Sequence, residues 1–466
     1  MESEQSVKDG SFLREGLALN KAKTEDITEQ IQDFVEHDDK QAAIDLFSQL
    51  RPGDQGGVIE DLPIATQLDI FTSLPPEEAA EILEHLDPED TAKVSKGIET
   101  QVLSDILDEA DSDIRVDILK QLPKEQAQDV LDGMKEAMEV APLLDYPDDS
   151  AGGRMVLEYV VVQDNATTAN ALEKLRQQEP DADGIYSIFV VDYEKRLVGE
   201  LSISRLALAR PKATIKDIMK TDYVFVTSTT NQEECARVME RYNLDQLPVL
   251  NEDRKLLGVI LIKDIIDVIE EEATEDMYKL AGISGERVFG PLHISIRNRL
   301  PWLSINLVTT FLAALVISIF ESTIAKVVTL AVFLPIVAGQ GGIGGTQTLT
   351  LVIRSMALGE MSRRGGFRLL RREIFLGLIH GLILGIIVGL IAYLWKGNYI
   401  LGVILGIAMI GNMFIAGLTG AGIPLLLTRF RIDPALASAV VVTTCTDVFG
   451  FLLFLGLAAA LVSLLL

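Results

Sequence analysis

Cysteine is nearly absent: the 466 residues hold two, Cys235 and Cys445. That excludes a disulfide-stapled fold and a CxxC metal knuckle, and it fits a reducing compartment. Histidine is scarce too, at four residues, and without an HExxH cluster zinc hydrolysis has no ligand set. The start, MESEQSVKDGSFLREG, lacks the basic region and apolar core of a secretory signal, so the N-terminal half is expected in the cytoplasm. Basic charge is the last deficit: 41 Lys+Arg face 68 Asp+Glu, a net charge of −27. The imbalance belongs to one half. Residues 1–275 hold 27 basic and 61 acidic side chains, whereas residues 276–466 hold 14 and 7. An acidic soluble half presents no clustered Lys/Arg for phosphates, which argues against nucleic acid as a partner and favours cations.

The second half is rich in what the first lacks, long uncharged runs. They cover 300–320, 327–353, 374–395, 397–428 and 434–466, the last broken only by Asp447. A helix needs ~20 apolar residues to cross the hydrocarbon, so a transmembrane domain of five spans is predicted over 297–466. Arginines crowd the segments before the first span and after the second and fourth, while the other two loops carry only Lys326 and Lys396. Basic loops stay inside. The N-terminus is therefore expected in the cytoplasm and Leu466 outside.

Within the spans Asp447 is the one clear acid, and an intramembrane acid is costly, by ~2.5–3.5 kcal/mol at a helix centre. Thr443, Thr444 and Gly450 share its helical face, giving a polar stripe that reads as pore lining. The plainer alternative is a protonated or hydrogen-bonded Asp447 in a helix contact. An intramembrane aspartyl enzyme would need a second span acid, which the chain does not offer. The second span carries Gly339, Gly341, Gly342, Gly344 and Gly345, followed by Gln347. It formally matches GxGxxG, but no strand–turn–helix unit surrounds it, which excludes a dinucleotide site. Such a run permits exposed carbonyls along a pore or close helix packing. Asn412 is a further pore candidate, and His380 reads as a packing residue.

In the soluble half, leucine followed by proline recurs every twelve residues: Leu50-Arg51-Pro52, Leu62-Pro63, Leu74-Pro75, Leu86-Asp87-Pro88 and, 36 residues on, Leu122-Pro123. Proline favours the first helical turn, and acids such as Glu77 and Glu78 follow it. A disordered tail (1–24), an all-α superhelical domain (25–140) and a linker (141–153) are predicted. Two tandem α/β copies come next, at 154–213 and 214–262, each alternating short Val/Ile-rich runs with helices. An acidic helix and connector at 263–296 lead to the first span; Ile262, Ile265, Ile266 and Ile269 mark one face, and Asp264, Asp267, Glu270, Glu271, Glu272, Glu275 and Asp276 the other.

In this order, the Leu-Pro repeats, a tandem pair similar to cystathionine-β-synthase (CBS) domains, Ile266-Asp267-Val268-Ile269-Glu270-Glu271-Glu272 with Glu275-Asp276, and Asp433-Pro434-Ala435 before Thr443-Thr444-Cys445-Thr446-Asp447 resemble an MgtE-type magnesium channel. The resemblance runs from about residue 30 to the end. It implies a homodimer in the lipid bilayer with five helices per subunit, a pore on the dimer axis and a "plug" helix closed by cytosolic Mg²⁺, with no enzymatic activity. Asp447 matches the pore aspartate that holds hydrated Mg²⁺. Asp264, Asp267, Glu272, Glu275 and Asp276 match the sensing acids, and Asp87, Glu89 and Asp90 are candidates for their partners on the helical repeats.

Five positions depart from the family pattern. Ile343 replaces the asparagine of the usual GGNAGTQ, Ala439-Val440 stands where Gly-Pro is common, and Leu261 and Lys263 occupy places usually held by Thr and Asp. Loss of that Thr argues against ATP at the CBS domains, while Lys263 weakens the case for cation sensing. Two alternatives follow: a sensor that binds Mg²⁺ but conducts little, and a broader Co²⁺/Ni²⁺ transporter, since a hydrated-ion site discriminates by size and dehydration cost.

Overall fold

The twelve-residue period sets where the N-terminal helices begin. In the computed structural model they start at Pro52, Ile64, Pro76, Pro88, Thr100, Ser112 and Lys124, each twelve residues after the last. The structure describes residues 27–35, 37, 40–60, 62–177, 187–283, 292–357, 365–430 and 432–465; the tail expected at 1–24 lies outside them. Proline at the first helical position, as at Pro76 and Pro88, gives up an N–H that has no intrahelical partner. The gap in the leucine–proline series is filled by two proline-free helices, Thr100–Leu107 and Ser112–Gln121. Each helix packs on its next-but-one neighbour, so alternate helices form two layers. Leu62, Leu86 and Leu122, ahead of helix starts, are buried between the layers.

The α/β copies follow as expected in kind. In the first, β1 (Val160–Gln163) runs parallel to β2 (Ser187–Val191), which pairs antiparallel with β3 (Leu197–Ser202). The second repeats the order and sense with β4 (Val226–Thr227), β5 (Gln246–Leu250) and β6 (Leu256–Leu261). Helices Thr168–Gln177 and Gln232–Tyr242 make the parallel crossovers. Phe189 and Leu197 of one copy share an apolar cluster with Leu250, Val259 and Leu261 of the other.

By internal contacts the chain divides into Met1–Val268 and Ile269–Leu466. The division falls within the acidic helix, which spans Ile262–Ala281 and is shorter than the 263–296 segment expected for it with its connector. Residues 284–291 of that segment lie outside the described residues.

In the second unit, five helices are long and apolar enough to cross a membrane: Leu292–Ile319, Thr329–Ala357, Gly365–Lys396, Tyr399–Arg429 and Ala439–Ala460. The third begins nine residues before its uncharged run, taking in three arginines and Glu373. The run expected at 434–466 divides into a short turn (Pro434–Leu436), the fifth helix and a last helical turn. The third and fourth helices meet through glycines: a methyl group added at Gly385 would lie 2.7 Å from Gly406 O, and one at Gly389 2.7 Å from Gly402 O.

Candidate functional site

Thr443 and Asp447 on the fifth helix face a groove of about 790 Å³ whose other wall is one face of the second helix. That wall comprises Gly339, Gly342, Ile343, Thr346, Gln347, Thr350 and Arg354, with Ala338 and Leu351. Three hydroxyls, the Gln347 amide and the Asp447 carboxylate line it together with the Arg354 guanidinium and apolar side chains, and the oxygen groups among them are of the kind that hold a hydrated hard cation. Ile343 is 58 % exposed and intrudes an apolar side chain where an amide was expected. Thr444 lies outside the groove lining, its hydroxyl donating to Val440 O at 2.6 Å.

The glycine stretch divides by face. The second helix is continuous through it, so its carbonyls are engaged along the helix rather than offered to a pore. A Cβ at Gly339 would meet nothing within 4 Å, whereas one at Gly342 would lie 3.2 Å from Thr443 Cγ2, so the missing side chain there lets the fifth helix approach. Gly341, Gly344 and Gly345 turn away from the groove against Asn412, Met413 and Val442. Asn412 sits behind the stretch, 1 % exposed, donating from Nδ2 to Val337 O at 2.7 Å. Its place is a junction of three helices, not the groove.

Sequence reasoning passed over Glu373, one residue before the third uncharged run. It is 5 % exposed, accepting from Arg372 Nη1 at 3.0 Å and Thr348 Oγ1 at 3.4 Å. The lone signal was its position directly after Arg371 and Arg372, at the edge of an otherwise apolar segment.

The acids of the soluble unit gather in two places. Lys263, at the start of the acidic helix, reaches 152 residues back: its Nζ donates to Asp111 Oδ2 at 2.6 Å and lies 3.7 Å from Glu84 Oε2. Burial pushes the neighbouring Asp264 carboxyl up to about 7, with Asp111 adding to the rise against the pull of Lys263. Asp113 is raised well above the usual carboxylate range by burial and then by Asp264. Burial alone would lower Lys263, but the hydrogen bond and charge of Asp111 hold it above an ordinary lysine. One ammonium thus offsets part of the negative charge of a crowded acidic junction between the helical repeats and the second CBS copy. Lys263→Ala is expected to lower the melting temperature only by a few degrees, because the pair is half exposed. Millimolar Mg²⁺ should then restore more stability to the variant than it adds to the parent, as scanning fluorimetry with and without chelator reads out.

The second gathering is Glu60, Asp87 and Asp90, whose carboxylate oxygens come within 4.8 Å of one another. Asp87 N donates to Glu60 Oε1 at 3.0 Å, and Lys93 Nζ donates to Asp90 at 2.7 Å. Glu60 was not foreseen, because only the superhelical stacking brings helices separated by two others in the chain together there. The Glu89 side chain lies outside the described residues. Along the acidic helix Asp267 and Glu275 are exposed, while Glu272 and Asp276 are half-buried.

A tandem CBS pair preceded by a helical superhelix and followed by five apolar helices defines a multi-pass membrane protein of the cation-transporter class. The model of the divalent cation transporter family MgtE matches residues 334–457, that of the MgtE intracellular N domain residues 50–149, and that of the CBS domain residues 215–271. The chain is 37 % identical over 327 residues to the magnesium transporter MgtE of Thermus thermophilus, covering 69 % of this chain and 72 % of that one. It is 34 % identical over 328 residues to the Bacillus subtilis MgtE, covering 70 % and 73 %. A solved cytosolic domain of the Mg²⁺ channel MgtE in complex with ATP is 34 % identical, with a TM-score of 0.49, over 52 % of this chain and 99 % of that one. The chain belongs to the MgtE family.

Proposed function

We propose that the protein is a homodimeric, Mg²⁺-selective channel of the cytoplasmic membrane that admits Mg²⁺ down its gradient. The observation that carries this is Asp447 facing the groove beside Thr443 and Gln347. Magnesium sheds water reluctantly and is held by one or two carboxylates. One aspartate per protomer, doubled by a two-fold axis, suits a hydrated ion better than a dehydrating cage does. In this reading the groove of a second copy closes the pore, the N-terminus is cytoplasmic and the C-terminus outside.

Gating follows from charge. In this reading the acids of the acidic helix, Asp264, Asp267, Glu272, Glu275 and Asp276, and those of the helical repeats, Glu60, Asp87 and Asp90 included, carry a mutual repulsion beyond what Lys263 and Lys279 offset. Cytosolic Mg²⁺ relieves that repulsion and draws the elements together, so the ion shuts its own pathway. The ATP complex belongs to the solved relative. For this chain Leu261, buried in β6 without a hydroxyl to offer a ribose, supports CBS domains that work without nucleotide.

Ile343 in the groove and Lys263 in the acidic junction favour a second reading, a Mg²⁺ sensor that conducts little. Patch recordings with varied internal Mg²⁺ separate the two: the channel reading expects current that falls as internal Mg²⁺ rises, and silence at every concentration leaves the sensor.

A further inference from the structure

The acidic helix ends on a lysine. Lys279 Nζ donates to Asp433 Oδ2 at 2.6 Å and pairs with Glu275 Oε1 at 2.7 Å, and its side chain is 24 % exposed. Asp433 is also a structural residue of the turn ahead of the fifth helix, its Oδ1 accepting from Ala435 N at 2.8 Å. Ala435 and Ala437 of that turn are buried with Leu349, Ile353 and Val442, and Leu280 packs on the same cluster. Two residues past Ala437 the fifth helix begins, and Thr443 and Asp447 follow on it. One ammonium, one carboxylate and one apolar contact therefore join the end of the acidic helix to the base of the helix that bears Asp447.

Lys279 also occupies one of the oxygens a divalent ion would use. Glu275 Oε1 is held by the ammonium, and an ion taking that oxygen must displace it. We propose that Lys279 is a positioning residue: a tethered cation that locks the acidic helix to the lead-in of the fifth helix, so that this end of the gate closes without a diffusible ion at Glu275. The proposal deepens the gating reading given above and rests on it for its functional consequence alone. Tethering costs no binding entropy for a free ion, and the lock persists when cytosolic Mg²⁺ is low.

The test compares Lys279→Gln, Lys279→Arg, Asp433→Asn and the Lys279→Gln/Asp433→Asn double variant in the full-length protein in nanodiscs with chelator present. The Asp433→Asn change keeps a capping oxygen and loses only the charge. Amide hydrogen exchange of Ala435–Val442 is expected to rise about threefold to fivefold in each charge-losing single variant, the scale of one half-exposed ion pair. It should rise no further in the double variant and stay near the parent in Lys279→Arg. Unchanged exchange in both singles, or fully additive increases, would overturn the lock. In patches, the same variants should need more internal Mg²⁺ to close. A non-additive exchange result in a protein that passes no Mg²⁺ current would keep the lock and remove the channel reading.

Discussion

Asp447→Asn is expected to abolish Mg²⁺ flux into dye-loaded liposomes while leaving the protein folded. The substitution keeps the side chain's size and one oxygen but removes the charge, and no other acid lines the groove among the described residues. Losing a charged partner of the hydrated ion costs about 2 kcal/mol of ion stabilisation, a factor of about 30 in occupancy. Two protomers lose it together, which multiplies the effect. Asp447→Glu keeps the charge and should retain part of the flux. Conduction by a monodisperse Asp447→Asn variant at the parent rate would remove the carboxylate from the ion path.

What was legible in the sequence was whatever a local count could report. Four of the five spanning helices announce themselves through twenty or more uncharged residues, and the fifth through a run broken only by Asp447. The helical repeats declared their period through proline, yet where proline was lacking, at Thr100 and Ser112, the same helices escaped notice. Asp447 stood out because an acid in an apolar run is costly wherever it points.

Positions defined by their neighbours were not legible. Asn412 and Gln347 are both polar residues in apolar spans, and only coordinates send one behind the glycine stretch and the other into the groove. Lys263 read as a departure that weakens cation sensing; its pairing with Asp111 and Glu84 shows a charge already supplied there by the chain. Glu373 was lost by a single residue, because the limit of an uncharged run is not the limit of a helix.

The glycines of the third helix were missed for a related reason. Gly377, Gly381, Gly385 and Gly389 recur every four residues, which on a helix is one stripe. The stripe is met backbone to backbone by the fourth helix: a Cβ at Gly381 would lie 2.7 Å from Ile410 Cα and one at Gly385 2.7 Å from Gly406 O. Lipid tails are as apolar as leucine, so helices in a bilayer are held by close packing rather than by escape from water. A side chain in the stripe forces the pair apart along its length. Gly381→Val and Gly385→Val are each expected to cost about 1–3 kcal/mol, and together to leave little monodisperse protein after extraction. Gly339→Ala supplies the contrast, since a methyl group there meets nothing within 4 Å and alanine is the better helix former. Its melting temperature by fluorescence-detected size exclusion should equal or exceed the parent's. Equal losses at all three positions would mean that glycine acts here through backbone freedom and not through the space it leaves.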